Sequence, residues 1–298
     1  MKIYDCFPFF CELDLLEIRL NILDPYVDYF VIRESNLGFA GNSKKYFFEE
    51  NKNLFEKFLH KIIYIKVDNN PDQFYRMPYI EDPKSDEDIC MNKIYNFVDK
   101  STNWSKNENH WGREFFQREC LHKGLLNCND DDLILFGDLD EIPDPNILSR
   151  VISSYEYDKT YVFEQKMYYY YINLLKENNW RGTILTSYRF LKDKPLNDLR
   201  LNGRNLISGI YPFEVIQNAG WHFSYMGGTD RVIFKIESGG HQELNNDFIK
   251  NNVYSNISQK KDIFFRGCEM TEVDIDNTYP EWLVNNLEKY PQLVLNKK

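Results

Sequence analysis

Asp132-Leu133-Ile134-Leu135-Phe136-Gly137-Asp138-Leu139-Asp140-Glu141-Ile142-Pro143 joins an unbroken apolar run to a cluster of three carboxylates. Four large apolar residues between Asp132 and Gly137 read as a short strand covered on both faces, the kind that parallel sheets contain. Asp144-Pro145 behind it reads as an N-cap with proline at the first helical position. Carboxylates this close raise one another's pKa values unless a cation joins them. A divalent ion is an economical partner, because Mg²⁺ or Mn²⁺ takes one or two protein carboxylates and completes its shell with phosphate oxygens and water. The same residues also read as a solvated acidic turn before a helix, whose N-terminal dipole favours Asp and Glu.

Upstream, strand and helix patterns alternate as in βαβ units. An opening strand over positions 2–7 precedes Leu13, Leu16, Leu20 and Leu23, an apolar stripe at helical spacing that Asp24-Pro25 ends. Strands are predicted at 29–32 and 61–67. Ligands of open α/β sheets bind outside the carboxyl ends of strands, so Glu34 and Asp68 are expected near a ribose or base. Positions 69–110 break the rhythm with Pro71, Pro78 and Pro83 and one helical stretch near 91–98, which predicts a lid or acceptor loop. A helix over about 112–126 leads into the 132–137 strand. From 159 to 191 the chain turns aromatic and β-branched, predicting a strand-rich second half.

Composition narrows the functional classes. The 298 residues are 43% hydrophobic and 16% aromatic, enough for a large core and against global disorder. With 36 Lys+Arg against 46 Asp+Glu, the net charge of −10 argues against a nucleic-acid binder working through a general basic field. An anionic substrate would need a metal or a local cationic patch. No apolar run approaches the roughly 18 residues of a membrane span, and no basic-then-apolar leader opens the sequence, so a cytoplasmic protein is expected. The six cysteines have no metal-ligand spacing and read as reduced thiols. No P-loop, dinucleotide glycine fingerprint or nucleophile elbow occurs.

Four blocks, taken in order, are more specific than any one motif. Asp5-Cys6-Phe7-Pro8-Phe9-Phe10-Cys11-Glu12-Leu13-Asp14-Leu15-Leu16-Glu17-Ile18-Arg19-Leu20, Val27-Asp28-Tyr29-Phe30-Val31-Ile32-Arg33-Glu34-Ser35-Asn36, Asp138-Leu139-Asp140-Glu141-Ile142-Pro143 and Gly220-Trp221-His222-Phe223-Ser224 resemble the signature blocks of glycosyltransferase family 17. Cys11 stands where that pattern has Asn, and Ser238-Gly239-Gly240-His241-Gln242-Glu243 lacks the Phe-Ala pair that bacterial-type relatives carry before the His. The resemblance implies a GT-A-like, Rossmann-like α/β fold: a mixed, mainly parallel sheet flanked by helices in a single domain over 1–298. Positions up to about 145 would hold nucleotide sugar and metal, and the remainder the acceptor. It further implies an inverting transferase that moves a sugar, N-acetylglucosamine from UDP-N-acetylglucosamine as first expectation, onto a glycan hydroxyl.

Single in-line displacement needs a base for the acceptor and stabilisation of the departing diphosphate. Asp138, Asp140 and His222 are the expected ligands of Mn²⁺ or Mg²⁺, with Glu141 a helper or a helix-start acid and His241 a second candidate imidazole. Phe7, Glu34, Asp68, Arg113, Arg118 and Asp138 are the expected donor-binding residues. Arg113 and Arg118 suit phosphate oxygens, although Glu114 and Arg118 also form an i,i+4 pair. Asp230 and Glu243 are the expected bases, with Glu237 and Glu164 competing, and Asp230 also reads as a helix-start carboxylate explained by capping alone. Trp221 could stack on a sugar face or simply pack. Another UDP-sugar donor, a non-catalytic Ca²⁺-dependent carbohydrate-binding protein and a metal phosphoesterase remain alternatives.

Overall fold

The computed structural model describes residues 1–157, 159–206 and 211–295. Its centre is a ten-stranded sheet. β1 (Ile3–Pro8), β2 (Tyr29–Ser35), β3 (Ile62–Val67) and β4 (Leu133–Phe136) form a parallel block in the order β3-β2-β1-β4. β1 sits at the middle of this block, with Tyr4 beside Tyr29 on one edge and Ile134 on the other. Helices cover both faces, which is why β1, β2 and β4 are buried with scarcely any polar alternation.

The second half continues the same sheet. β5 (Glu141–Pro143) is followed by β6 (Thr160–Tyr169), β7 (Leu174–Ser187), β8 (Phe213–Ile216), β9 (Gly220–Ser224) and β10 (Thr271–Glu272). β7 runs antiparallel to β4 and joins the halves, with Leu135 opposite Leu185. The order then proceeds β7-β6-β9-β5. β6 pairs parallel with β8 and β9, whereas β5 and β9 pair antiparallel, so the sheet is mixed.

Local chemistry explains the elements. Leu15, Leu16, Ile18, Leu20, Ile22 and Leu23 bury one side of the helix Leu13–Leu23, and Pro25, lacking an N–H, stops its ladder. Asp144 caps the helix Pro145–Ser153, its Oδ1 accepting from the N–H groups of Asn146 and Ile147 at 2.8 and 3.2 Å. The stretch predicted as one helix near 112–126 is an α-helix, Asn109–Glu119, that tightens into a 3₁₀ segment, Cys120–Leu125. Gly220 has φ +139°, and a Cβ there would collide with the Ile142 carbonyl, so glycine is what lets β9 lie against β5.

Segment 69–110 is not a lid over the cleft described below. Phe74, Met77, Cys90, Ile94, Tyr95 and Val98 bury a cluster against Phe115 and Phe116, and the helix Asp86–Lys100 carries most of it. The prolines interrupt the strand-helix alternation without preventing a core. No helix among the described residues is long and apolar enough to cross a membrane.

Candidate active site

The carboxylates after β4 are held from below by one arginine. Arg19 of the helix Leu13–Leu23 is fully buried and forks onto Asp5 of β1, Nε to Oδ2 at 2.8 Å and Nη2 to Oδ1 at 2.6 Å. Its Nη1 donates to the carbonyls of Asp138, Leu139 and Glu141 at 3.0, 3.1 and 2.8 Å. The turn's backbone is therefore fixed by a charge whose counter-charge lies in the central strand. Phe7, expected at the donor, lies under this guanidinium, 4.5 Å from ring centroid to Cζ, and is wholly buried in the core.

Above the turn lies a cleft of about 470 Å³. Asp138, Asp140 and His222 all line it, as does Arg118. Asp138, with its side chain 29% exposed, meets Arg118 Nη2 at 3.2 Å and Arg200 Nη2 at 2.5 Å. Asp140, 10% exposed, places Oδ1 3.4 Å from His222 Nε2 and Oδ2 3.2 Å from Lys235 Nζ. Burial alone would raise the Asp140 carboxyl, but the Lys235 ammonium and His222 outweigh it and hold the group well below the usual carboxylate range. Burial likewise works against the Lys235 ammonium, and Asp140 with Glu12 raises it well above its ordinary value.

Glu141 has a structural explanation. It is fully buried; Oε1 accepts from Trp180 Nε1 at 2.7 Å and Arg200 Nη2 at 2.8 Å, and Oε2 from the Asp138 N–H and Arg200 Nη1, each at 2.8 Å. Burial works against its charged form, but the Arg200 guanidinium outweighs it and holds the carboxyl below the usual carboxylate range. A Cβ at Gly182 would collide with this carboxylate, so β7 carries a glycine there. Trp221 is buried in the main core.

Several expected residues lie elsewhere. The Glu34 carboxylate is buried and accepts from Lys44 Nζ, the N–H groups of Phe47 and Phe48, and Tyr64 Oη, at 2.6 to 3.0 Å, so it organises the segment after β2. Asp68 is exposed beyond β3, and Arg113 donates to the Phe39 carbonyl at 2.5 Å; neither lines the cleft. Asp230 is exposed in the first turn of the helix Thr229–Ser238, Glu237 pairs with Lys250 and Glu164 with Arg181, all away from the cleft lining. Glu243 meets the cleft through a neighbour: its Oε1 is 2.6 Å from His241 Nδ1, and His241 lines the cleft.

The sequence reading missed the cations that complete the site. Arg200 and Arg204 come from the helix Leu196–Asn205, which carries none of the matched blocks, and Lys235 sits within an otherwise amphipathic helix. Arg204 Cζ stacks 3.7 Å from the Trp180 ring centroid, and burial, then repulsion from Arg200, lowers its pKa to about 10. A basic residue inside an apolar stripe was the available signal for Lys235. Only the fold reveals which carboxylate it meets.

No group of three or more His, Cys, Asp or Glu side chains gathers to hold a metal among the described residues. Asp140 and His222 nevertheless face each other in the cleft, one offering an oxygen and the other a nitrogen, and among the described residues His222 Nδ1 is buried without a hydrogen-bond partner. That pair fits an ion that draws its remaining ligands from phosphate and water. Asp138 is engaged by the two arginines instead.

No curated protein matches the chain. Among solved structures, the crystal structure of S. aureus TarS 1-349 is 13% identical, with the match covering 87% of this chain and 71% of that one at a TM-score of 0.40. The family model for glycosyltransferase family 17 matches residues 1–98 and 84–294, so that both the Asp138-Leu139-Asp140 turn and the strand bearing His222 fall inside it, and the chain belongs to that family.

Proposed function

We propose that this glycosyltransferase moves N-acetylglucosamine from UDP-N-acetylglucosamine to a hydroxyl of a glycan acceptor, with inversion at the anomeric carbon and with help from Mn²⁺ or Mg²⁺. The observation that carries the reading is one cleft in which the Asp140–His222 pair stands among Arg118, Arg200, Arg204 and Lys235. In a chain of net charge −10, that local excess of cations suits a diphosphate.

In the reaction the acceptor oxygen attacks the anomeric carbon as the bond to the diphosphate breaks, and the leaving group departs with the electron pair. A divalent ion held by Asp140 and His222 would supply charge neutralisation at that diphosphate. Lys235 keeps Asp140 ionised, and Arg200 ties Asp138 to the buried Glu141, so the carboxylates stay in place through turnover. For the acceptor's proton we favour His241 oriented by Glu243, because His241 lines the cleft and its Nδ1 lies 2.6 Å from Glu243 Oε1. Asp230 would have to move to the cleft. The donor half of the site is the turn after β4, while Met167, Tyr169, Lys176, Tyr225 and Phe264 bring the second half of the chain to the same cleft for the acceptor.

A ligand that binds only the folded state raises the melting temperature by mass action. Melting with UDP, UDP-sugars and GDP-mannose, each with Mn²⁺ and with chelator, should give the largest shift for UDP-N-acetylglucosamine with metal. A larger shift from another UDP-sugar would change the donor. Stabilisation by Ca²⁺ or glycan alone, with none by any nucleotide, would refute the donor reading.

A further inference from the structure

Arg33 is a buried cation that the protein itself leaves half-satisfied. It stands near the carboxyl end of β2, opposite Pro8 of β1, and its carbonyl accepts from the Phe9 N–H at 2.8 Å. Its side chain lines the cleft, yet the residue is only 3% exposed. Nη1 donates to Gln117 Oε1 at 2.9 Å, and Gln117 is fixed in turn through its amide nitrogen by the Leu37 carbonyl and Asn70 Oδ1, at 3.1 and 2.9 Å. Among the described residues, Nε and Nη2 have no hydrogen-bond partner.

The pattern of what is free is informative. The Nε–H and Nη2–H groups lie on one edge of the guanidinium plane and form a fork that matches two oxygens of one anionic group. Gln117 anchors the opposite nitrogen and orients that fork. The neighbouring cations are matched differently: Arg118 and Arg200 pair with Asp138, Lys235 with Asp140, and Lys44 with Glu34. Among the described residues Arg33 has no ion-pair partner, although burial of an unpaired charge is unfavourable. Burial lowers its pKa to about 10, which leaves it charged at neutral pH.

We propose that Arg33 is a phosphoryl-binding residue of the donor site, its Nε and Nη2 edge donating to two non-bridging oxygens of the nucleoside diphosphate. This rests on the nucleotide-sugar reading and adds to it a contact that the matched motifs do not assign. A phosphoryl group supplies both the two acceptors and the counter-charge; a nucleobase carbonyl supplies acceptors only. Arg33 also differs from a structural arginine in a measurable way, because no described residue forms an ion pair with it.

The test is calorimetric titration of uridine, UMP and UDP into wild-type protein, Arg33→Met and Arg33→Lys, with melting of each protein alone. Arg33→Met is expected to weaken UDP by roughly 10- to 100-fold, the loss of a charged hydrogen-bonded pair, while uridine binding and the unliganded melting temperature are maintained. Arg33→Lys keeps the charge without the fork and should weaken UDP as well, which covers the case in which the methionine variant folds poorly. UDP affinity within about threefold of wild type in the lysine variant would overturn the proposal. Equal losses for uridine and UDP would overturn it too, by moving Arg33 to the base or ribose. Wild-type protein that binds none of the three would remove the nucleotide reading and this inference with it.

Discussion

Replacing Arg19 with methionine should damage both the fold and the Asp138–Glu141 turn. Methionine fills much of the same volume, but it leaves the fully buried Asp5 carboxylate with no counter-charge. It also removes the donor to the carbonyls of Asp138, Leu139 and Glu141. Breaking a buried ion pair by removing one partner costs about 3–5 kcal/mol. At roughly 2–4 °C per kcal/mol for a large domain, the melting temperature should fall by about 6–20 °C. Urea unfolding of wild type, Arg19→Met, Asp5→Asn and the double variant measures this directly. The double variant should be more stable than Arg19→Met, because it strands no charge. If Arg19→Met lost less than about 1 kcal/mol, or if the double variant were the least stable of the four, the claim that this pair holds the turn would be refuted.

Gly182→Ala should destabilise the protein by about 1–3 kcal/mol, since its methyl group meets the Glu141 carboxylate, and an unchanged melting curve would contradict the packing at β7. Asp262 is buried and pairs with Arg266, whose hydrogen bonds outweigh burial and keep its folded-state carboxyl below the ordinary 3.8. Its stabilisation is present above about pH 3.8 and is lost as pH falls through the folded value, so the gap between wild type and Asp262→Asn should shrink in acid. Should that gap widen instead, the sign is wrong. His241→Ala should lower transfer about 100-fold and Glu243→Gln at least tenfold, while Asp230→Asn stays within about threefold. The reverse order, read by UDP release in the presence of acceptor, would return the base to Asp230.

Much of the architecture is legible because it depends on local periodicity. The Leu13 to Leu23 stripe, the runs at 29–32 and 61–67 and the Leu133-Ile134-Leu135-Phe136 strand all carry their covering pattern in consecutive residues, and they form the parallel block. Asp144-Pro145 announces its helix for the same reason. Segment 69–110 misleads because prolines mark interruptions of backbone geometry, not exposure, and Phe74 and Met77 can still pack against a distant helix.

The site divides along similar lines. Asp138 and Asp140 lie in the turn between β4 and β5, and His222, in the middle of β9, is brought to them because β9 pairs with β5 with His222 opposite Glu141. Glu34 shows the limit of the strand-end rule: a carboxylate at that position can be consumed by the loop it caps, here through Lys44, two backbone N–H groups and Tyr64. Arg200 and Lys235 could not be read from spacing, since their partners lie 62 and 95 positions away in the chain. Long-range pairing is a property of the assembled sheet and its helices, and no short motif encodes it.

The Asp140–His222 cleft is proposed to carry a metal-assisted transfer from a nucleotide sugar. UDP release from UDP-N-acetylglucosamine, followed with and without Mn²⁺ for wild-type protein and Asp140→Asn, tests it most directly. Release by the wild type that chelator suppresses and Mn²⁺ restores, and that Asp140→Asn abolishes, is the expected result. Equal release by wild type and Asp140→Asn, indifferent to metal, would contradict the account.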